Sequence, residues 1–306
     1  MREHKCDPEL IGLLRTDGRM SVKELAGRIG LPRTHISNRM QELIDSGTLR
    51  VVAALDPEFA GHRLLTHTLV RASGAAGTVA ARLRAMPQTV FVSAIAGAHD
   101  VAFESRFGTE AELTDLLAKV RAFPEVSRIT TSKYISVVKG FFVAHYRGNV
   151  TIDDVDRTMI SMLEEDGRVP YRALADAAGV SASTARERIA RLLEANVIRI
   201  SAVEARGVKQ SQVGVGVGVV SRGTDGDIQR FMRSARAVDF AASAYGRYDF
   251  IATLVAPSPR QLHVVLDELR SLHSVVEVDA WTHLDVVKEE YGRTLRPAQL
   301  EQASPV

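Results

Sequence analysis

Cysteine is almost absent: Cys6 stands alone, so no disulfide can form within the chain. The 9 histidines are scattered without paired ligand spacing, so neither a metal site nor a cofactor is predicted. No Ser-His-Asp arrangement and no phosphate-binding loop is found, and the expectation is a binding protein rather than an enzyme. No apolar run approaches the length of a membrane span, and the opening MREHKCDPELIGLL lacks the apolar core of a signal peptide. A cytoplasmic protein without a membrane partner is therefore expected. Charge of one sign is not in excess either. With 39 Lys and Arg against 37 Asp and Glu, the net charge is +2, too small to argue for nucleic acid by itself. Any DNA-binding surface must concentrate its basic residues locally.

What the chain does have is itself, twice. Residues 15–31, RTDGRMSVKELAGRIGL, are echoed by residues 164–180, EEDGRVPYRALADAAGV. Asp17 and Asp166 are 149 positions apart (166 − 17), and this offset pairs Asp7 with Asp156, Gly30 with Gly179, Arg39 with Arg188 and Leu43 with Leu192. It still holds at Gly97 with Gly246, Asp100 with Asp249 and Lys139 with Lys288. The 306 residues are thus a tandem duplication without net insertion, and a functional reading must explain two similar halves.

Each half begins with three helices. Leu10, Ile11 and Leu14 have helical spacing, and the Asp17-Gly18-Arg19 turn ends that segment. Ser21-Val22-Lys23-Glu24 has the form of a capping box opening a short second helix, and Gly30 suits the left-handed conformation that closes it. Ile36, Met40, Leu43 and Ile44 then form one apolar stripe, repeated by Ala185, Ile189, Leu192 and Leu193. This order reads as a helix-turn-helix, and TLRVVAAL and VIRISAVE read as short strands consistent with a wing. Arg33, Thr34, His35, Ser37, Asn38 and Arg39 are expected to face outward on the first recognition helix. Ser183, Thr184, Arg186, Glu187, Arg188 and Arg191 are expected to do so on the second. Short hydroxyls with Arg and Asn suit phosphate oxygens and base edges in the major groove, so double-stranded DNA is the expected partner. Acidic residues slightly outnumber basic ones in residues 151–200, which predicts weaker binding by the second unit.

Each half continues as β-α-β-β-α-β, the ferredoxin-like order, with helices on one face of a four-stranded sheet and a matching sheet expected to cover the other. The strand VGVGVGVV does not fit a dinucleotide loop, because Val219 stands where the third Gly belongs. Instead Gly214, Gly216 and Gly218 line one strand face, aligned with Leu65, His67 and Leu69 of the first half. Large residues opposite small ones predict pairing between unlike units.

The residues that recur in order and spacing are Asp17-Gly18-Arg19, Leu25-Ala26, Gly30-Leu31, Arg39-x-x-x-Leu43, Gly97-x-x-Asp100 and Phe123-Pro124-Glu125-Val126. With their second-half counterparts they resemble the Lrp/AsnC family of feast/famine regulators in tandem duplicate. Asn196 replaces Gly47, and Leu272-His273-Ser274-Val275 lacks the Pro. The resemblance implies an α+β fold, in which a winged helix-turn-helix followed by a ferredoxin-like (RAM-type) domain occurs twice. The expected domains are 1–55, 60–145, 151–204 and 209–294. The resemblance also implies self-association through the ferredoxin-like domains and a small-molecule effector, often an amino acid. That effector would sit against the turns Gly97-Ala98-His99-Asp100 and Gly246-Arg247-Tyr248-Asp249. Arg247 could take a carboxylate and Asp100 or Asp249 an ammonium group, which favours the second turn. A local role for these residues, Gly for the turn angles and Asp for a hydrogen bond back to the turn, needs no ligand.

A second family shares this order of elements. Siroheme decarboxylases resemble it, with a His followed by Tyr or Arg and then Tyr-Asn on the first strand of the α+β unit. Here His67-Thr68-Leu69-Val70-Arg71 has no Tyr-Asn after it, and the second half has glycines instead.

Overall fold

The structure, a computed structural model, describes residues 6–140, 150–204 and 212–290. The expected domain boundaries at 145, 209 and 294 lie outside the described residues. In the first half, α1 (Asp7–Thr16), α2 (Val22–Ile29) and α3 (Arg33–Asp45) lead into β1 (Leu49–Leu55). There follow β2 (Leu64–Ala72), α4 (Ala76–Arg84), β3 (Thr89–Ala96), β4 (Val101–Phe107), α5 (Glu110–Arg121) and β5 (Val126–Lys139). The second half repeats this order. Its helical part is α6 (Asp154–Glu165), α7 (Tyr171–Ala178), α8 (Ala182–Glu194) and β6 (Ile198–Glu204). Its remainder is β7 (Val213–Ser221), α9 (Gly226–Ser234), β8 (Val238–Tyr245), β9 (Phe250–Ala256), α10 (Pro259–Arg270) and β10 (Val275–Glu289). The α+β tandem repeat is thus present, and the chain groups by type: the two helical parts form one compact unit, the two α+β parts another.

In the helical unit, the strand expected as a wing in each half finds its partner in the other half. β1 and β6 run antiparallel from Leu49 opposite Glu204 to Leu55 opposite Ile198. Val52 lies opposite Ser201, and these are equivalent positions of the repeat, so a local two-fold axis passes between them. The Asp-Gly-Arg turns flank this ribbon, and each of their residues has a task. Asp17 and Asp166 accept the backbone N–H of Arg19 and Arg168 at 2.9 and 2.8 Å, which fixes the turn. Gly18 and Gly167 donate their N–H groups to Ile200 and Val51 of the opposite half, at 3.1 and 2.8 Å. A Cβ at 18 would lie 2.9 Å from the Ile200 backbone, so only glycine permits this approach. The arginines then cross over. Arg19 donates to the Gly167 and Val169 carbonyls at 2.8 and 2.9 Å, and Arg168 to those of Gly18 and Met20 at 2.6 and 3.2 Å. One continuous core results, with Leu10, Leu25, Ile36 and Leu43 of the first half joined to Ile160, Leu174, Ile189 and Leu192 of the second. Asn196 adopts φ 55° where Gly47 has 68°, so the replacement keeps the left-handed turn.

In the α+β unit, each half has the strand order expected of a ferredoxin-like sheet, β3-β4-β2-β5 and β10-β7-β9-β8. The two sheets then join edge to edge at both sides, β5 to β8 and β10 to β3, closing an eight-stranded barrel. β5 and β10 make this possible by their length. The first part of β5 pairs with β2, and from Lys133 onward it pairs with β8; β10 likewise passes from β7 to β3 at Thr282. Each bends at a bulge on crossing, between Tyr134 and Ser136 and between His283 and Asp285. Val79, Leu83, Leu116 and Val120 of α4 and α5 cover the outer face of one sheet; Ile228, Met232, Leu262 and Leu269 of α9 and α10 cover the other.

Unlike units do pair, but the glycine face is filled differently from the expectation. A Cβ at Gly216 would overlap the indole of Trp281, and one at Gly218 would lie 2.6 Å from the Tyr248 ring. The glycines therefore make room for aromatics of their own half instead of for Leu65 and Leu69. Trp281 then reaches across to His67, ring centroids 5.4 Å apart.

Candidate nucleic-acid interface and effector turns

The helical unit presents α3 and α8 at equivalent positions, each as the third helix of its half. Ser21 caps α2, accepting from the Glu24 N–H, while the Glu24 carboxylate turns to Arg28 at 2.8 Å; the expected capping box is therefore half formed. On α3, Arg33, Thr34, His35, Ser37 and Asn38 are exposed, while Ile36, Met40 and Leu43 face the core. On α8, Ser183, Arg186, Glu187 and Arg191 are exposed and Thr184 is half-buried. Ser181 caps α8, accepting the Thr184 N–H at 3.1 Å, and its hydroxyl also meets those of Ser183 and Thr184 at 2.8 Å. The Arg186 guanidinium rests over the Tyr171 ring, 5.1 Å from its centroid, and the first half contributes Arg19 to the same ring at 4.3 Å. Tyr171 occupies the position of Val22 in the repeat, a change whose consequence local patterning does not show.

Arg39 does not face outward. It is 4% exposed and grips Asp7, itself 2% exposed, through Nε and Nη2 at 2.8 and 2.6 Å, with Glu42 at 2.7 Å. The Asp7 hydrogen bonds outweigh burial and hold its guanidinium charged. Arg39 therefore fixes α3 to α1 and is withdrawn from the DNA-reading set. Arg188 repeats the arrangement in weaker form, donating to Asp153 at 2.7 Å and Asp156 at 3.2 Å, and Arg191 adds a 2.6 Å contact to Asp156. Asp153 caps α6 and is held below the usual carboxylate range, first by the Asp156 N–H and next by Arg188. Two of the three α8 arginines are thus engaged with carboxylates. The repeat preserves both partners at the same offset, Asp7/Asp156 and Arg39/Arg188, but nothing local in the helix pattern shows that the side chain turns inward.

The four-residue turns lie in the barrel unit, and each packs on the long strand of the other half. A Cβ at Gly97 would meet the Ala280 carbonyl at 3.3 Å, and one at Gly246 the Thr131 carbonyl at 3.0 Å. Asp100 accepts the Ala72 N–H at 2.8 Å, and Asp249 accepts the Ser221 N–H at 2.7 Å, so both tie a turn to a strand end. Ala98 is exposed, and His99 is half-buried with its basicity lowered by burial and by Arg71. Arg247 contacts Glu277 at 2.5 Å and Asp279 at 3.3 Å. Tyr248 is buried, donates to Asp279 at 2.8 Å, and has its hydroxyl proton held more firmly by burial and by that carboxylate. Arg247, on which the preference for the second turn rests, is thus held by two protein carboxylates, and a ligand carboxylate would have to displace one of them.

Comparison with known proteins gives these placements a context. The AsnC-type helix-turn-helix domain matches residues 5–44 and again residues 152–193. The transcriptional regulator FL11 of Pyrococcus horikoshii is 30% identical over 40% of this chain and 82% of its own length. The regulator AldR of Mycobacterium tuberculosis is 33% identical over 41% of this chain and 67% of its own. Among solved structures, the siroheme decarboxylase NirDL matches 96% of both chains at a TM-score of 0.65 and 14% identity. A second structure of it, with an iron-uroporphyrin III analogue, matches 92% of both at 0.63. This likeness overturns the expectation that the chain is not an enzyme: an enzyme is built on this same fold over nearly its full length, so missing catalytic motifs exclude nothing. Sequence similarity covering most of a single-copy regulator, with the helix-turn-helix found twice, shows that the chain belongs to the Lrp/AsnC family of transcriptional regulators.

Proposed function

We propose that this regulator reads double-stranded DNA with α3 and α8, using Arg33, Thr34, His35, Ser37 and Asn38 on one and Ser183, Thr184, Arg186 and Glu187 on the other. The observation that carries the reading is the division of labour on α3. Its one buried arginine anchors the helix, while the polar and basic residues near its start remain exposed. Such a set suits phosphate and base-edge contacts. The test is fluorescence anisotropy on a selected operator across a salt series. Arg33→Ala or Arg186→Ala should weaken binding by about 1–3 kcal/mol where the residue reads a base. A phosphate contact would lower affinity on every sequence and reduce the salt slope by about one. The first helix should lose more, because α8 stands among Asp153 and Asp156. Unchanged binding in both variants removes these helices as readers.

The regulatory input we assign is a small effector, an amino acid or related metabolite, at the turns 97–100 and 246–249. The chemistry that supports it is exchange: a ligand carboxylate can replace Glu277 on Arg247, which is half exposed. A thermal-shift screen of amino acids identifies the ligand, and calorimetry on Arg247→Ala, Asp100→Ala and Asp249→Ala tests the turns. Self-association through the barrel unit and a cytoplasmic setting belong to the same reading.

A second, enzymatic reading has one observation in its favour beyond the fold. Burial inside the barrel lowers His67 to a pKa of about 3, so its imidazole stays neutral, the form that can ligate a metal. Against it, Trp281 fills the space beside His67. Incubation with iron-uroporphyrin III tests this reading by a shifted visible absorbance and by loss of carboxyl groups from the tetrapyrrole.

A further inference from the structure

We infer that the operator is inverted in geometry but unlike in sequence, with one base position, read by Asn38 on one side and Glu187 on the other, setting the difference. The inference rests on the DNA-reading proposed above. The local two-fold between Val52 and Ser201 relates α3 to α8, so the two helices meet DNA in opposite senses, as the halves of a symmetric dimer do. In such a dimer the two half-sites are the same because the two helices are the same. Here they are not.

Position 38 is equivalent to 187 (38 + 149), and both residues are exposed. The next equivalent pair, Arg39 and Arg188, is occupied by Asp7 and by Asp153 and Asp156, so it contributes little to discrimination. Asn offers a donor and an acceptor that match the N6 and N7 of adenine. A glutamate carboxylate only accepts, and its partner on a base edge is the N4 amino group of cytosine. Adenine cannot satisfy Glu187 as it does Asn38, since N7 of adenine would face a second acceptor. Ser37 and Arg186, also equivalent and exposed, differ too, and Arg186 rests on the Tyr171 ring, so the base beside this position is kept as selected in every site compared. The geometry points to adenine under α3 and cytosine under α8 at symmetry-related places, and a true palindrome is then bound less well than the mixed site.

The experiment is selection of the full-length chain on a randomised duplex library, followed by titration of the selected site and of its two palindromic versions. The expected result is an inverted pair of half-sites carrying adenine in one and cytosine in the other, preferred by about 10-fold or more over either palindrome. Glu187→Asn should make the all-adenine palindrome the best site, and Asn38→Glu the all-cytosine one. Both changes are on exposed helix surface, and an unaltered thermal unfolding midpoint checks that the variants are folded. Selection of a palindrome by the parent, or a site preference that both variants leave unchanged, overturns the inference while DNA reading stands. No enriched sequence at all would instead remove the DNA-reading function on which it depends.

Discussion

Arg19 and Arg168 are the same residue of the repeat and exchange places: each leaves its own turn and satisfies the carbonyls of the other's. The contact is reciprocal, so loss of one should weaken both turns. Arg19→Ala or Arg168→Ala leaves part-buried carbonyls short of a charged donor and should cost about 1–3 kcal/mol each. Urea unfolding of both singles and the double checks this, and a non-additive double variant is expected because the two turns share the β1–β6 ribbon.

Arg39 and Arg33 should separate stability from recognition. Arg39→Ala strands the buried Asp7 carboxylate and is expected to destabilise the chain by about 3–5 kcal/mol. Arg33→Ala, on exposed surface, should change stability by no more than about 0.5 kcal/mol while lowering DNA affinity. Unfolding and anisotropy measured on the same preparations decide it; DNA affinity lost in Arg39→Ala at a temperature where it is folded would contradict the assignment.

Gly216 should tolerate no side chain while Trp281 is present. Gly216→Ala places a Cβ into a rigid indole, and overpacking of this kind costs about 1–3 kcal/mol. Trp281→Leu should recover part of that loss in the double variant. Equal stability of Gly216→Ala and the parent would show that the indole can move aside.

The two units should respond to pH in opposite directions. His67, in the barrel, has a pKa of about 3 against the ordinary 6.5. Between these values the unfolded chain binds a proton that the folded chain refuses, so stability falls as pH drops from 6.5 toward 3, by up to about 1.4 kcal/mol per unit. Glu164, on α6 in the helical unit, is raised by burial to about 7 from 4.5. There the folded chain holds the extra proton, and stability falls as pH rises from 4.5 to 7. His67→Gln should flatten the acid slope and Glu164→Gln the opposing one, read by chemical unfolding at a series of pH values.

Much of this was legible in the residues. The offset of the repeat, the helical stripes through Ile36 and Ile189, the strand character of VGVGVGVV and the Asn196 turn all depend on local periodicity or backbone preference, which a sequence records directly. The inward turn of Arg39 was not legible, because its partner Asp7 lies 32 positions earlier and an arginine between two apolar stripe positions can face either way. Nor was the pairing of β1 with β6: a strand shows its alternation but not which strand completes its ladder. The glycine face of β7 was legible from its spacing, while what fills it was not, since Trp281 reaches it only after β10 has folded back beside β7.

The long strands β5 and β10 have a consequence for how the two halves can change. Because each strand serves both sheets, neither sheet is complete without the other half, and the partner is always supplied by the same chain. An assembly of identical subunits must accommodate every altered residue against its own copy. Here Trp281 has Ser132 as its counterpart, and Gly216 has His67. A bulky residue on one side therefore never meets itself, and the two copies are free to specialise in tandem while their closure stays independent of protein concentration.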